Sequence, residues 1–204
     1  MHNNDMIPGG KWPGAFGVYK YSKKVVTYNL NAFLPLIILG YAADIIANYS
    51  NMAVAILLYV MIFLFQISAY TVLISSLHLQ KISLAQALDK ATRLSLKIIA
   101  VYIIILVTVF VGLVALIVPG LILLPRLILA PYYIIDQEMT VKQAIEAAWH
   151  NSKDQGLRTW AVIAVQILFG LLAIIIIGIY LSIVYSAALI VLYGFTNGHL
   201  KTKK

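Results

Sequence analysis

Residues 118–136, VPGLILLPRLILAPYYIID, constrain this chain more than any other stretch. Pro119-Gly120 opens the run, Pro125-Arg126 sits in its middle, and Pro131 precedes two tyrosines and Asp136. Proline removes a backbone donor and clashes with the preceding turn, so an apolar run carrying three of them is expected to be bent or broken. Pro119, Gly120, Pro125 and Pro131 are therefore the expected structural break. A cation among leucines is costly at membrane depth and needs a partner, water or an interfacial position. Arg126 is thus the first residue to follow into the structure.

The rest of the chain shows which solvent this run faces. Of its 204 residues 62% are hydrophobic and only 11% charged, with a mean hydropathy of +0.94. Soluble domains carry about 25% charged residues, so an integral membrane protein is expected, all-α in class. The first turns carry Lys11, Lys20, Lys23 and Lys24 but no apolar stretch long enough for a signal-peptide core. The first spanning helix is expected to serve as an uncleaved anchor. Cysteine is absent, which excludes disulfides and thiolate metal sites.

Apolar segments follow at 30–49, 52–79, 98–118, 121–135, 160–177 and 179–195, against the roughly 20 residues that cross a bilayer. Six membrane segments are expected, the fourth short and proline-broken, the last pair hinged at Gly178. The basic residues test this plan. All 15 except Arg126 fall in the N-terminal stretch, in the connections at 80–97 and 137–158, or in the tail at 200–204. The positive-inside rule makes that side cytoplasmic, with both termini inside, in a plasma (inner) membrane. The same placement assigns the net charge of +8 to anionic head groups and not to nucleic acid. Residues 12–28 mix aromatics with lysines and read either as a short helix in the interface or as a plain flank. Trp12, Lys20, Lys23, Lys24 and, further on, Trp149 are the expected lipid contacts.

A repeat underlies the plan. Residues 82–95, ISLAQALDKATRLS, align without gaps on 139–152, MTVKQAIEAAWHNS. Gln86, Ala87, Ala91 and Ser95 match Gln143, Ala144, Ala148 and Ser152. Both copies begin with a capping-box pattern, Ser83 to Gln86 and Thr140 to Gln143. Leu84, Leu88 and Ala91 form one apolar stripe; Val141, Ile145, Ala148 and Trp149 form the other. Each copy is expected to lie on the cytoplasmic surface before a membrane hairpin. The units run 30–79, 80–136 and 137–199, after a 1–29 leader and before a 200–204 tail.

Pro119-Gly120, Arg126, Asp136 or Glu138, Ala144 and Ser152 together resemble a pattern in the bacterial membrane-domain family of glycerophosphodiester phosphodiesterases and its integral-membrane relatives. That pattern runs from Pro-Gly through an arginine-bearing apolar stretch and an acidic turn to an amphipathic helix with Ala and Ser. It covers 119–152. Where relatives often have Arg-Ser, this chain has Asn151-Ser152 after His150. The chain leaves no room for the soluble catalytic barrel, so the resemblance implies a membrane module without hydrolase activity.

The remaining polar residues carry little chemistry. His2, His78, His150 and His199 show no paired ligand spacing, so no metal and no cofactor is expected. Asp136, Glu138, Glu146 and Asp154 are interleaved with Lys142, Lys153 and Arg158, as on a solvated face. Ser182, Ser186 and Gly194 make a small-residue series interrupted by Ile190, suited to close helix packing. Arg126 lies about seven residues and Asp44 about five from the expected outer ends of their segments, each on the order of 10 Å deep at 1.5 Å per residue. An Asp44–Arg126 pair is expected, serving either as a structural ion pair or as part of an anion site.

No nucleophile–base set is apparent. The expected function is a non-catalytic module that contacts anionic lipid or a membrane-protein partner, a second copy included. The alternative is a small transporter or permease subunit with an anion-recognising site at Arg126.

Overall fold

The computed structural model describes residues 12–115, 117–153, 155–172, 183 and 186–196, and all regular structure among them is helical. Nine helices follow in order among these residues. They are α1 (Val18–Tyr28), α2 (Leu30–Asn48), α3 (Met52–Leu77), α4 (Leu84–Ala115), α5 (Ile117–Leu127), α6 (Ala130–Gln137), α7 (Val141–Asn151), α8 (Gly156–Leu172) and α9 (Ala188–Thr196). Residues 1–11 of the leader, the Gly178 hinge, Ser182, Asp154, His199 and the basic tail lie outside the described residues.

Four stretches are long and apolar enough to cross a bilayer: Leu30–Asn48, Met52–Leu77, Leu84–Ala115 and Val118–Gln137. The fifth expected segment begins as α8, an apolar helix of 17 residues as far as it is described. Of the sixth, Ile183 and the stretch from Ser186 are described. In the first three stretches only 17–28% of the apolar window is buried, against 56% in Val118–Gln137. Ile45, Leu57, Leu106, Phe110 and Val114 all stand open. Apolar surface on that scale calls for an apolar surround. A helix pairs most of its backbone groups within itself, as a lipid phase demands.

Two hairpins supply this open surface. Asn51 caps α3 by accepting from the Val54 amide at 3.0 Å, and α2 packs along the returning α3. At the other turn α4 gives way to α5 within two residues, and α5 runs back along α4. Close approach there depends on two glycines. A methyl on Gly120 would lie 2.7 Å from the Leu113 amide nitrogen and 2.4 Å from its Cγ. A methyl on Gly112 would lie 2.8 Å from the flexible end of Leu123 and 3.0 Å from the Gly120 Cα.

Both hairpins rise from one packed base. Its centre is α6, in which every residue from Ala130 to Ile135 is buried. Around it stand the last turns of α3 (Ile67, Leu73, Leu77), the first turns of α4 (Ala87, Ala91, Leu94), α7 (Ala144, Ala148), α1 and α9. The alanines shared by the two repeat copies are wholly buried, which explains why both copies carry the smallest helix-forming side chain there. Both capping boxes form: Gln86 N–H reaches Ser83 Oγ at 3.3 Å and Gln143 N–H reaches Thr140 Oγ1 at 3.4 Å, with each glutamine returning to the cap amide.

The copies differ from the expected surface helices. The first is not a separate element, since 84–95 continues without a break into the long apolar part of α4. The second ends at Asn151 and packs against α6, α4 and α5. The 12–28 stretch also joins the base: Val18, Val25 and Val26 of α1 are buried while Lys20 and Lys23 face outward and Lys24 is half-buried. Asn29 then locks the start of α2 to the α3–α4 turn, donating to Ser76 Oγ at 3.0 Å and the Gln80 carbonyl at 2.8 Å.

Overpacking a close backbone approach costs about 1–3 kcal/mol. Gly120→Ala is expected to lower stability by that amount, and Gly112→Ala by less because Leu123 can rotate away. Denaturant unfolding of the two variants in detergent checks the order; equal losses would contradict the hairpin geometry.

Candidate functional site

The proline-broken run divides between α5 and α6. Pro119 falls in the first turn of α5, where a missing N–H costs nothing, and Pro131 in the first turn of α6. Pro125 is different, because it lies inside α5 and cannot donate to the Leu121 carbonyl one turn earlier. The Trp160 indole of α8 donates to that carbonyl instead, at 3.0 Å. A second free carbonyl arises at the end of α5, where helices run out of intrahelical donors. There the Ser152 hydroxyl reaches the Arg126 carbonyl at 3.0 Å and the Ala148 carbonyl as well, sharing its one proton. Asn151 next to it donates to Tyr133 Oη at 2.8 Å. Asn151-Ser152 therefore ties the end of α7 to both sides of the break.

That tie brings Arg126 to the α7–α8 connection. Its guanidinium lies over the Trp149 ring, 4.6 Å from the centroid, a cation–π arrangement. Trp149 is 39% exposed, so it shields the cation on one side only. Arg126 and Lys153 line a cleft of about 290 Å³ whose wall is otherwise Val118, Leu121, Ile122, Pro125, Leu157 and Trp160, with Gly156 at the start of α8. No acid lines it. Trp12, the other expected aromatic contact, stacks under Arg158, 5.6 Å from its ring centre.

The expected Asp44–Arg126 pair is not formed. Among the described residues Arg126 makes no ion pair, and neither does Asp44. Asp44 lines a different cleft, between α2 and α3. Distance from a segment's end orders residues along one helix but does not say which helices meet.

A second polar node was missed from sequence. Asp136 reads there as one acid of a solvated face, and His78 as a histidine without paired ligand spacing. The Asp136 side chain is only 8% exposed. One carboxylate oxygen meets His78 Nε2 at 2.7 Å, and the other accepts from Tyr193 Oη at 2.7 Å, which in turn accepts from Gln137 at 3.2 Å. One carboxylate thus joins the ends of α3, α6 and α9. The hydrogen bond to Asp136 raises the His78 pKa above its ordinary 6.5, against the opposing pull of burial and, more weakly, of the Lys90 charge. The signal available in sequence was Asp136 at the end of an apolar run, without a clue to its partners. Glu138 and Glu146 do stand open: Glu138 meets Lys90 at 3.6 Å and Glu146 meets Lys142 at 3.9 Å, both carboxylates being more than half exposed. Among the described residues no three His, Asp or Glu side chains gather as metal ligands would.

Two outcomes are expected. A histidine with a raised folded pKa contributes stability fully below about pH 6.5 and loses it as pH rises through the folded value. The melting temperature of the wild-type protein should therefore fall across neutral and mildly alkaline pH, and His78→Gln should flatten that slope; an unchanged slope would remove His78 as its cause. Trp160→Phe should cost about 1 kcal/mol by freeing the Leu121 carbonyl. In a Pro125→Ala background the new amide can take that carbonyl, so the loss should shrink; strictly additive losses in a double-mutant cycle would contradict the substitution of indole for backbone donor. In comparisons with protein-family models, curated proteins and solved structures, nothing matched this chain.

Proposed function

We propose that the protein is a non-catalytic, multi-pass protein of a bacterial plasma membrane, with six segments and both termini on the cytoplasmic side, whose α5–α8 cleft takes the phosphate of an anionic lipid. The observation that carries this is the composition of the cleft: two cations, Arg126 and Lys153, set in an apolar wall with no acid among the described residues. A lipid offers the matching pair of an anionic head and an apolar chain. Arg126 suits the head group because its guanidinium presents a planar fork to phosphate oxygens, while Trp149 holds its plane. Lys153 adds a point charge.

The distribution of basic residues supports the orientation, since Lys153 belongs to the connection that the positive-inside rule sets on the cytoplasmic side. Arg126, the exception to that rule in the linear sequence, stands beside it in the fold. The resemblance of 119–152 to the membrane domain of glycerophosphodiester phosphodiesterases is part of this proposal and supports a module without the hydrolase. A membrane-protein partner or a second copy would cover part of the open apolar surface.

Transport of a soluble anion is the alternative, and it would need a polar path converging on Arg126. The apolar wall of Val118, Leu121, Ile122, Pro125 and Leu157 favours lipid over that reading.

Basic groups near an anionic membrane surface contribute about 1 kcal/mol each, or about fivefold in affinity. Native mass spectrometry of the full chain, offered phosphatidylglycerol in competition with phosphatidylcholine, should show preferential retention of the anionic lipid. Arg126→Ala and Lys153→Ala should each reduce it by about that factor, with Arg126→Lys retaining part. Undiminished retention in the double variant would reject the proposal.

A further inference from the structure

Asp44 is the one Asp, Glu, Lys or Arg between Leu30 and Leu77, along the two helices that form the first hairpin. Its neighbourhood is the cleft of about 350 Å³ between α2 and α3, which Phe33, Tyr41, Phe65, Gln66 and Tyr70 line with aliphatic side chains and Ser186. Among the described residues no lysine, arginine or histidine lines it. The Asp44 backbone carbonyl accepts from Asn48, but among the described residues the carboxylate takes part in no hydrogen bond or ion pair. The one polar pair in the wall is internal, Gln66 donating to Tyr70 at 3.1 Å.

An ionisable side chain on an apolar helix is costly and calls for a counter-charge. Among the described residues none stands at this cleft. A hard metal ion would need several oxygen ligands, and here there is one carboxylate. Aromatic ring faces carry the negative end of a quadrupole and attract cations that are weakly hydrated, quaternary ammonium groups above all. A volume near the lower end of ligand pockets, roughly 300–1,000 Å³, fits a compact head with a short apolar body.

From this juxtaposition we infer that the α2–α3 cleft binds an organic cation of the alkylammonium class, with Asp44 as counter-charge and the flanking aromatic rings as its apolar and π surface. The site is separate from the Arg126 cleft and does not depend on the lipid-phosphate proposal. Its chemistry is shared by free ammonium compounds and by choline-type lipid head groups.

The test uses the full chain in maltoside micelles, which hold no ammonium group, and benzyltrimethylammonium as the probe. Saturation-transfer NMR should give saturable binding, weakened at least about tenfold by Asp44→Asn and kept within about threefold by Asp44→Glu. Gln66→Lys, which leaves Asp44 in place but adds a cation to the wall, should also abolish binding. The neutral isostere neopentylbenzene should not distinguish wild type from Asp44→Asn. Addition of dihexanoylphosphatidylcholine then assigns the source: competition points to a lipid head group, and its absence to a free cation. No saturable binding to the wild type would overturn the inference. So would equal affinity in Asp44→Asn, or an affinity for neopentylbenzene matching that for the cation.

Discussion

A helix carbonyl deprived of its donor is expensive wherever water is scarce, and much of this structure follows from two of them. Pro125 cannot serve Leu121, and the end of α5 leaves Arg126 with an open carbonyl. Donors come from outside the broken helix, from Trp160 and Ser152. Meeting those carbonyls draws the end of α7 and the start of α8 onto α5. The same movement sets Trp149 under the Arg126 guanidinium and Lys153 beside it. The cleft that gives the chain its most distinctive chemistry is thus a consequence of repairing the break.

Below the break the molecule is built like the core of a soluble helical protein, and above it like a membrane hairpin. α6 is short, wholly buried through Ile135, and closes on a carboxylate that holds helices from three parts of the chain. A buried carboxylate with both oxygens satisfied stiffens such a base, because removing either partner leaves a charge or hydroxyl without compensation. The exposed Asp89–Arg93 pair, 67% and 61% open, does nothing comparable. From this base the two hairpins run outward with unburied leucine, isoleucine and phenylalanine. A packed base at one end and open apolar surface at the other are thus the two halves of the architecture.

Local signals were legible. Both capping boxes form where Ser83-to-Gln86 and Thr140-to-Gln143 spacing put them, because such bonds span three residues and need no tertiary help. Of the expected stripes Ala91 and Ala148 are wholly buried while Trp149 stands 39% exposed, and the alanines at matching positions, Ala87 and Ala144, are wholly buried too. The surface-helix picture fails for the first copy because nothing at Ser95 to Lys97 stops a helix, and α4 simply continues. Candidate partners were the least legible. Arg126 and Asp44 appeared matched by depth, yet they line different clefts. His78 and Asp136 lie 58 residues apart, with no spacing rule to join them.

The apolar, helical class, the place of the proline-bearing break and the segregation of basic residues can all be read along the chain. They depend on composition, on proline's missing donor and on charge counting, all of which act over a few residues. Who repairs the break, which carboxylate is buried, and that Arg126 and Asp44 line separate clefts are set by the packing of the helices. Those outcomes turn on which helix faces meet, and apolar faces of similar width can meet in many ways. Hydrogen-bond donors such as Trp160, Ser152 and Tyr193 discriminate among these only once they come within about 3 Å of an acceptor.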